Sequence, residues 1–500
     1  MFEGKDVKIL LSQAGSGKTR RLIEEVSKEL EVRRPEEIAF VTFTRKGAEE
    51  GLKRVCSKLM LEPDDLPYFR TLHSLTFHAM NYKAKQMFSR IDQRKFNKLY
   101  GYNINRCEMG NGKVSPTKDT QYLEFYDLER SGALTSKQLV EADIELGYYR
   151  QLVQKYEEYK SQECLVDFFD CLIKYVQEGD SLPCKVAMVD ECQDITALQW
   201  KVIEKAFAKA EKIILAGDEN QSIYQYSGAR PDFLINMAKQ FPVEHLSVSY
   251  RIPLQVYRLA KAITNFIGDK TDKPFNPREE NGEGCIMQLN SLERLKNFID
   301  SDELEDDKTN CAWYILARNN CFLDSPKSLL EDNLIPYWTS DGFFMAGEIM
   351  KRLKDYEGFR LEGYKDEKKK EDFARKFGIE DFSQPFTETN LFTEGRKWVY
   401  ASYIEKYGLK KLEEMCKWNP QVLVSTIHHV KGGEAKNVAV MLDTTRKTKN
   451  NVFNDIDEEL RILYVAVTRA KKNLFLIDSQ NGEGYDQILN VIKEENGLVW

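Results

Sequence analysis

Two groups of residues in this chain have the types and spacing to handle phosphate. The first reads Ser12-Gln13-Ala14-Gly15-Ser16-Gly17-Lys18-Thr19. Glycines at 15 and 17 let backbone N–H groups curl around phosphate oxygens with no Cβ in the way. A helix-period segment follows (Leu22, Ile23, Val26, Leu30), so the loop delivers an anion to the positive end of a helix. Lys18 has the reach for the β- and γ-phosphates, and the Thr19 hydroxyl can ligate Mg²⁺. Ser12 stands where the pattern G-x-x-x-x-G-K-[ST] has its first glycine. The second group, Asp190-Glu191-Cys192-Gln193-Asp194, ends the apolar run 186–189. Hydrolysis of a nucleoside triphosphate needs one acid to hold a metal and another to activate water. Asp190 is assigned to Mg²⁺, through water, and Glu191 to the general base.

Both groups need a scaffold that sets them on one edge. Short β-branched runs recur at residues 7–11, 38–43, 186–189, 213–216 and 245–249. They return at 285–289, 312–317, 422–427, 438–442 and 474–477. Each is followed by a turn and a helix-period segment, which predicts parallel sheets covered by helices on both faces. Two such sets predict an α/β protein of two lobes. The Tyr-, Lys-, Glu- and Gln-rich stretch 85–160 reads as a helical insertion in the first lobe. Residues 346–415, with the mixed-charge run 365–372, read as a second insertion.

Composition narrows the class. The chain has 500 residues, of which 73 are Lys or Arg and 80 Asp or Glu, a formal net charge of −7. A nucleic-acid partner would therefore be held by a local basic or aromatic groove rather than by bulk charge. No run of apolar residues is long enough to span a bilayer, and the N-terminus lacks the pattern of a secretory signal, so a cytoplasmic protein is expected. The ten cysteines form no Cys-x-x-Cys pair, which argues for reduced cysteines rather than a disulfide framework or zinc ribbon.

Taken in order, the motifs resemble those of superfamily 1A helicases of the UvrD/Rep/PcrA type. The phosphate loop resembles motif I, Phe40-Val41-Thr42-Phe43-Thr44-Arg45-Lys46 motif Ia, and Thr71-Leu72-His73-Ser74 motif Ib. Asp167-Phe168 is similar to a further family segment, and residues 190–194 to motif II. Gly217-Asp218-Glu219-Asn220-Gln221-Ser222-Ile223-Tyr224 resembles motif III, and Ser249-Tyr250-Arg251 motif IV. Residues 426–434 resemble motif V and residues 464–470 motif VI.

The resemblance implies two RecA-like lobes with ATP between them: a first lobe of residues 1–84 and 161–246 with the insertion 85–160, and a second of 247–345 and 416–500 with a short insertion at 346–415. Lys18 and Glu191 would belong to one wall, and Arg251 and Arg469, as γ-phosphate-neutralising arginines, to the other. Gln221 would contact the γ-phosphate, Glu434 would lie near the ribose, and Arg20 and Tyr250 would sandwich the adenine. Phe43, Phe168, Tyr224 and Tyr226 would stack on bases or line the strand groove, with Tyr226 where the family usually has Trp. Thr71, His73, His428 and Lys431 would touch the phosphodiester backbone. The implied activity is an ATP- and Mg²⁺-dependent 3′→5′ single-strand DNA translocase and helicase acting on single-stranded and tailed duplex DNA, with protein partners in replication, repair or recombination. The alternative is a DNA-stimulated ATPase subunit or remodeller that unwinds little. The family's adenine-reading glutamine motif has no room ahead of residue 7, which leaves base selectivity for ATP open. Residues 432–435 resemble small phage-encoded members, and no nuclease motif follows motif VI. An insertion of this length implies a reduced regulatory subdomain.

Overall fold

A computed structural model of the chain describes residues 2–43, 45–106, 116–134, 144–301, 311–362, 397–418, 421–446, 448–449, 455–480 and 484–500. The charged run 365–372 and most of the acidic stretch 300–307 lie outside the described residues. Two compact units emerge: residues 1–282 with 451–468, and residues 283–450 with 469–500.

The first unit is built on six strands: β1 (Asp6–Ser12), β2 (Ile38–Thr42), β3 (Phe69–Thr71), β4 (Val186–Val189), β5 (Lys212–Gly217) and β6 (Val243–Leu246). Their order is β3-β2-β4-β5-β1-β6, and every pair is parallel. A fully parallel sheet must be buried on both faces, and the period-2 alternation of its strands sorts the side chains into two cores. Ile9, Leu11, Val41, Ala187, Val189, Ile213 and Leu215 share one core with Leu172, Trp200, Ile203 and Leu234 of covering helices. Leu10, Phe40, Val186, Met188, Ile214 and Ala216 share the other with Leu22, Ile23, Val26 and Val55. Leu11 pairs with Gly217 and Val189 with Leu215, so the carboxyl ends of β1, β4 and β5 come out together, the edge where such sheets bind ligands.

Residues of the 85–160 stretch form the helices Arg90–Tyr100, Lys118–Ser131 and Leu146–Gln162 around an aromatic core of Phe96, Tyr122, Tyr149, Tyr156 and Tyr159. A buried knot of charge ties them to the helix Phe168–Glu178. Arg130 pairs with Asp127, Asp167 and Asp170, while Lys160 pairs with Glu157, Asp167 and Asp170. With two cations already among its acids, this knot is a structural joint.

A two-stranded pair follows, β7 (Val248–Ser249) with β8 (Asn276–Pro277), and between them runs the helix Leu254–Phe266. The expected strand at 245–249 is thus split into β6 and β7. Residues 247–282, which the sequence reading gives to the second lobe, group with the first unit, as does the helix Ile456–Val467. The physical reason lies in their bonds: Ser249 and Tyr250 are tied to the phosphate loop, and Lys273 is tied to the acids that follow β5.

The second unit carries a seven-stranded sheet. Its strands are β9 (Cys285–Leu289), β10 (Trp313–Ala317), β11 (Trp338–Thr339), β12 (Gly342–Phe343), β13 (Val422–Thr426), β14 (Ala435–Met441) and β15 (Ala470–Ile477). The order is β12-β11-β13-β10-β14-β15-β9, parallel except for the β11–β12 hairpin. The described ends of the 346–415 segment are helical. They pack Leu353, Tyr403, Ile404 and Leu412 against Trp338, Phe343 and Met345 of the hairpin region. No helix among the described residues is long and apolar enough to cross a membrane.

Candidate active site

The phosphate loop is formed as its glycines require. Gly15 and Gly17 have φ of 74° and 78°, and Gly17 opens the helix Lys18–Leu30 without a side-chain cap. The first-turn amides of that helix therefore remain to be satisfied by an anion. Ser12 Oγ is buried and donates to Gly217 O at 3.0 Å, locking the loop's base to β5.

Lys18 lies between the two acids that follow β4, with Nζ 3.2 Å from Asp190 Oδ1 and 2.8 Å from Glu191 Oε2. Burial alone would lower the pKa of this lysine, but Asp190 and Glu191 outweigh it and raise it, so Lys18 stays cationic. Burial pushes the Asp190 carboxyl up, against the pull of Lys18. Thr19 donates its hydroxyl to Asp190 Oδ2 at 3.0 Å. A hydroxyl and a carboxylate oxygen so placed form a hard-oxygen set that suits Mg²⁺.

Glu191 sits in the left-handed region, at φ 60° and ψ 39°, which is uncommon for a residue with a Cβ. Gln193 holds it there: its Nε2 donates to Glu191 Oε2, while its Oε1 accepts the Asp218 amide at 3.0 Å. A Cβ on Gly217 would come within 2.7 Å of that Oε1, so a side chain there would displace the Gln193 amide. Gln221 donates to Asp218 Oδ2 at 2.6 Å. Asp218 and Glu219 are fully buried, and Lys273 Nζ meets both at 2.7 and 2.6 Å. That proximity holds Glu219 below the usual carboxylate range, despite burial, which acts the other way.

Motif IV lies directly on the loop. Ser249 Oγ donates to Ala14 O at 2.8 Å, Tyr250 N donates to Gly15 O at 2.9 Å, and a Cβ on Gly15 would stand 2.6 Å from Arg251 Cβ. Arg251 thus belongs to the same compact unit as Lys18, where the sequence reading expects it on the other side. Tyr250 and Arg20 are both exposed; Arg20 pairs with Glu24, and the Arg278 guanidinium lies 5.5 Å from the Tyr250 ring centre.

The aromatic residues fall into two sets. Phe43, Tyr224 and Tyr226 follow one another at centroid distances of 5.7 and 6.3 Å. Phe168 is 54% exposed and meets His73 edge-on at 5.6 Å, so it is a surface group while its neighbour Phe169 packs against the core. Burial lowers the His73 pKa to about 4, leaving a neutral imidazole at physiological pH. Thr71 caps the helix Leu72–Ala79, accepting from Ser74 N at 3.2 Å.

In the second unit, Arg469 is fully buried and donates to Gly433 O at 3.1 Å. Glu434 pairs with Lys471 at 3.1 Å. His428 and Lys431 lie in the turn that leads from β13 to β14. Sequence reasoning assigned no role to Gln193, Lys273, Arg278 or Tyr464. Lys273, Arg278 and Tyr464 find their partners on distant segments, and only Gln193, inside the acidic group, and Tyr464, at the head of motif VI, carry a local signal.

A parallel sheet whose leading edge combines a glycine loop, a lysine, a hydroxyl and two carboxylates defines a RecA-like P-loop nucleotide-binding protein. Residues 3–242 match the family profile of the UvrD/REP helicase N-terminal domain, and residues 348–481 that of the UvrD-like helicase C-terminal domain. The chain belongs to the UvrD-like helicase family. It is 26% identical to a probable DNA helicase II homolog of Mycoplasma pneumoniae, over 70% of this chain and 54% of that one. It is 23% identical to the putative ATP-dependent DNA helicase YjcD of Bacillus subtilis, over 95% and 77% respectively. With ATP-dependent DNA helicase PcrA of the same organism it shares 25% identity, over 55% and 39%. The chain spans about half the length of the first of these relatives.

Proposed function

We propose that this chain is an ATP-dependent DNA helicase and single-strand translocase of 3′→5′ polarity. The observation that carries the reading is the cluster of Lys18, Thr19, Asp190 and Glu191 at one sheet edge, tied through Gln193 to the segment that bears Tyr224 and Tyr226. Lys18 leaves its acid partners for the β- and γ-phosphates when nucleotide enters. Thr19 and, through water, Asp190 would hold Mg²⁺, which would supply neutralisation of charge on the phosphate oxygens. Glu191, oriented by Gln193, takes the proton of the attacking water. Gln221 and the two arginines, Arg251 and Arg469, are assigned to the γ-phosphate, where positive charge stabilises the transition state. Tyr250 and Arg20 receive the base and Glu434 the ribose. Phe43, Phe168, Tyr224 and Tyr226 grip the strand by stacking, which is tolerant of sequence. Thr71, His73, His428 and Lys431 contact its backbone, with His73 acting as a neutral hydrogen-bonding group.

The test compares ATPase and strand displacement on duplexes with 3′ or 5′ single-stranded tails, in DNA and RNA. Unwinding of the 3′-tailed DNA is expected. ATPase stimulated by single strands without displacement favours the remodeller, and ATPase indifferent to oligonucleotides sinks both. Lys18→Ala should abolish turnover. Glu191→Gln should bind ATP normally while kcat falls about 10²- to 10⁴-fold.

A further inference from the structure

The helix Ile456–Val467 touches both ends of the machinery described above, within the first unit. Near its start, Glu458 Oε1 accepts the backbone N–H of Tyr226 at 3.2 Å. Two turns later, the buried Tyr464 hydroxyl donates to Gln13 Oε1 at 3.0 Å and accepts the Ala14 N–H at 3.2 Å. Six residues of helix separate these contacts, a rigid span of about 9 Å. The helix is anchored on a further side as well: Asp457 accepts the amides of Gly268 and Asp269, and Arg461 donates to Asp269 O at 2.7 Å.

We propose that this helix is a coupling rod, with Tyr464 as a positioning residue on the phosphate loop and Glu458 as its counterpart on the strand-gripping segment. The inference rests on the proposed function and extends it to two residues. Ala14 lies upstream of the helix-start amides that face a phosphate, so its N–H is available for the tyrosine without competing for nucleotide. Ser249 and Tyr250 already hold the carbonyls of Ala14 and Gly15. Tyr464 completes the brace from the amide side and fixes the loop's curl before nucleotide arrives. Reshaping of the loop on binding pulls on Tyr464, and the helix passes that motion to the backbone of Tyr226. Immediately after Thr468 the chain enters the second unit at Arg469, so the rod is also covalently continuous with a γ-phosphate arginine.

The test uses the full chain and two readouts: the Kd for a fluorescent ADP analogue without nucleic acid, and the KM and kcat of ATP hydrolysis with and without single-stranded DNA. Tyr464→Phe, which removes only the hydroxyl, should raise the analogue Kd about three- to tenfold and reduce the strand's stimulation of kcat. Gln13→Ala should raise Kd in the wild-type background and add nothing in the Tyr464→Phe background. Glu458→Ala, which removes the acceptor, should keep the wild-type Kd but lose stimulation, and the Glu458→Ala/Tyr464→Phe pair should lose no more than the worse single variant. An unchanged Kd in Tyr464→Phe, or losses of stimulation that multiply in the pair, would overturn the rod. If wild-type ATPase ignores DNA altogether, the proposed function falls instead, and the Kd measurements alone decide whether the tyrosine braces the loop.

Discussion

At Gly15 two constraints coincide: a φ of 74° and the Cβ of Arg251 packed against the position a side chain would fill. Gly15→Ala carries about 1 kcal/mol of left-handed strain and must also push motif IV off the loop. It should abolish nucleotide-analogue binding while the far-ultraviolet circular dichroism stays near wild type. His73 offers a pH test whose sign is fixed by its low pKa of about 4 against an ordinary 6.5. As pH falls from 6.5, the unfolded chain takes up a proton that the folded one refuses. Its stabilising contribution is therefore intact above pH 6.5 and is lost as pH drops through 4. Thermal melts should reveal a shallower fall over that window in His73→Asn than in wild type. Identities at this scale were largely legible. Lys18, Thr19, Asp190 and Glu191 announce themselves by spacing, and the structure brings them within hydrogen-bonding distance. The placement of Arg251 was not, because motif order along a chain does not say which compact unit a short segment packs with.

The elements divide by length. Strands of four or more apolar residues stand out by composition, whereas β3 is three residues long and β11 and β12 two each, too short to show a period. Contacts between elements leave no trace in local sequence. Lys273 meets Asp218 and Glu219 from more than fifty positions away, and Tyr464 meets Gln13 from 451. The Lys273 contact has large consequences, since two fully buried carboxylates share one buried amine. Lys273→Met strands both charges, and the first unit should lose about 3–5 kcal/mol in denaturant unfolding. A loss under 1 kcal/mol would mean the acids find other donors or take up protons. Glu219→Gln in the same background should recover part of the loss.

For the molecule as a whole, a net charge of −7 means that bulk electrostatics do not draw it to DNA. Affinity for a single strand should then depend strongly on ring stacking. Phe168→Ala and Tyr226→Ala are each expected to weaken binding about 5- to 150-fold, from roughly 1–3 kcal/mol per stacked base. The slope of log Kd against log salt should stay at its wild-type value, because no phosphate contact is removed. Anisotropy titrations at several salt concentrations check this, and an altered slope would place those rings near the phosphates instead. The left-handed backbone of Glu191 has a consequence for anyone engineering this chain. Glycine or asparagine would sit there more comfortably than glutamate. A library screened for heat resistance alone would thus drift toward a sturdier but inert protein, and hydrolytic competence has to be scored in every round.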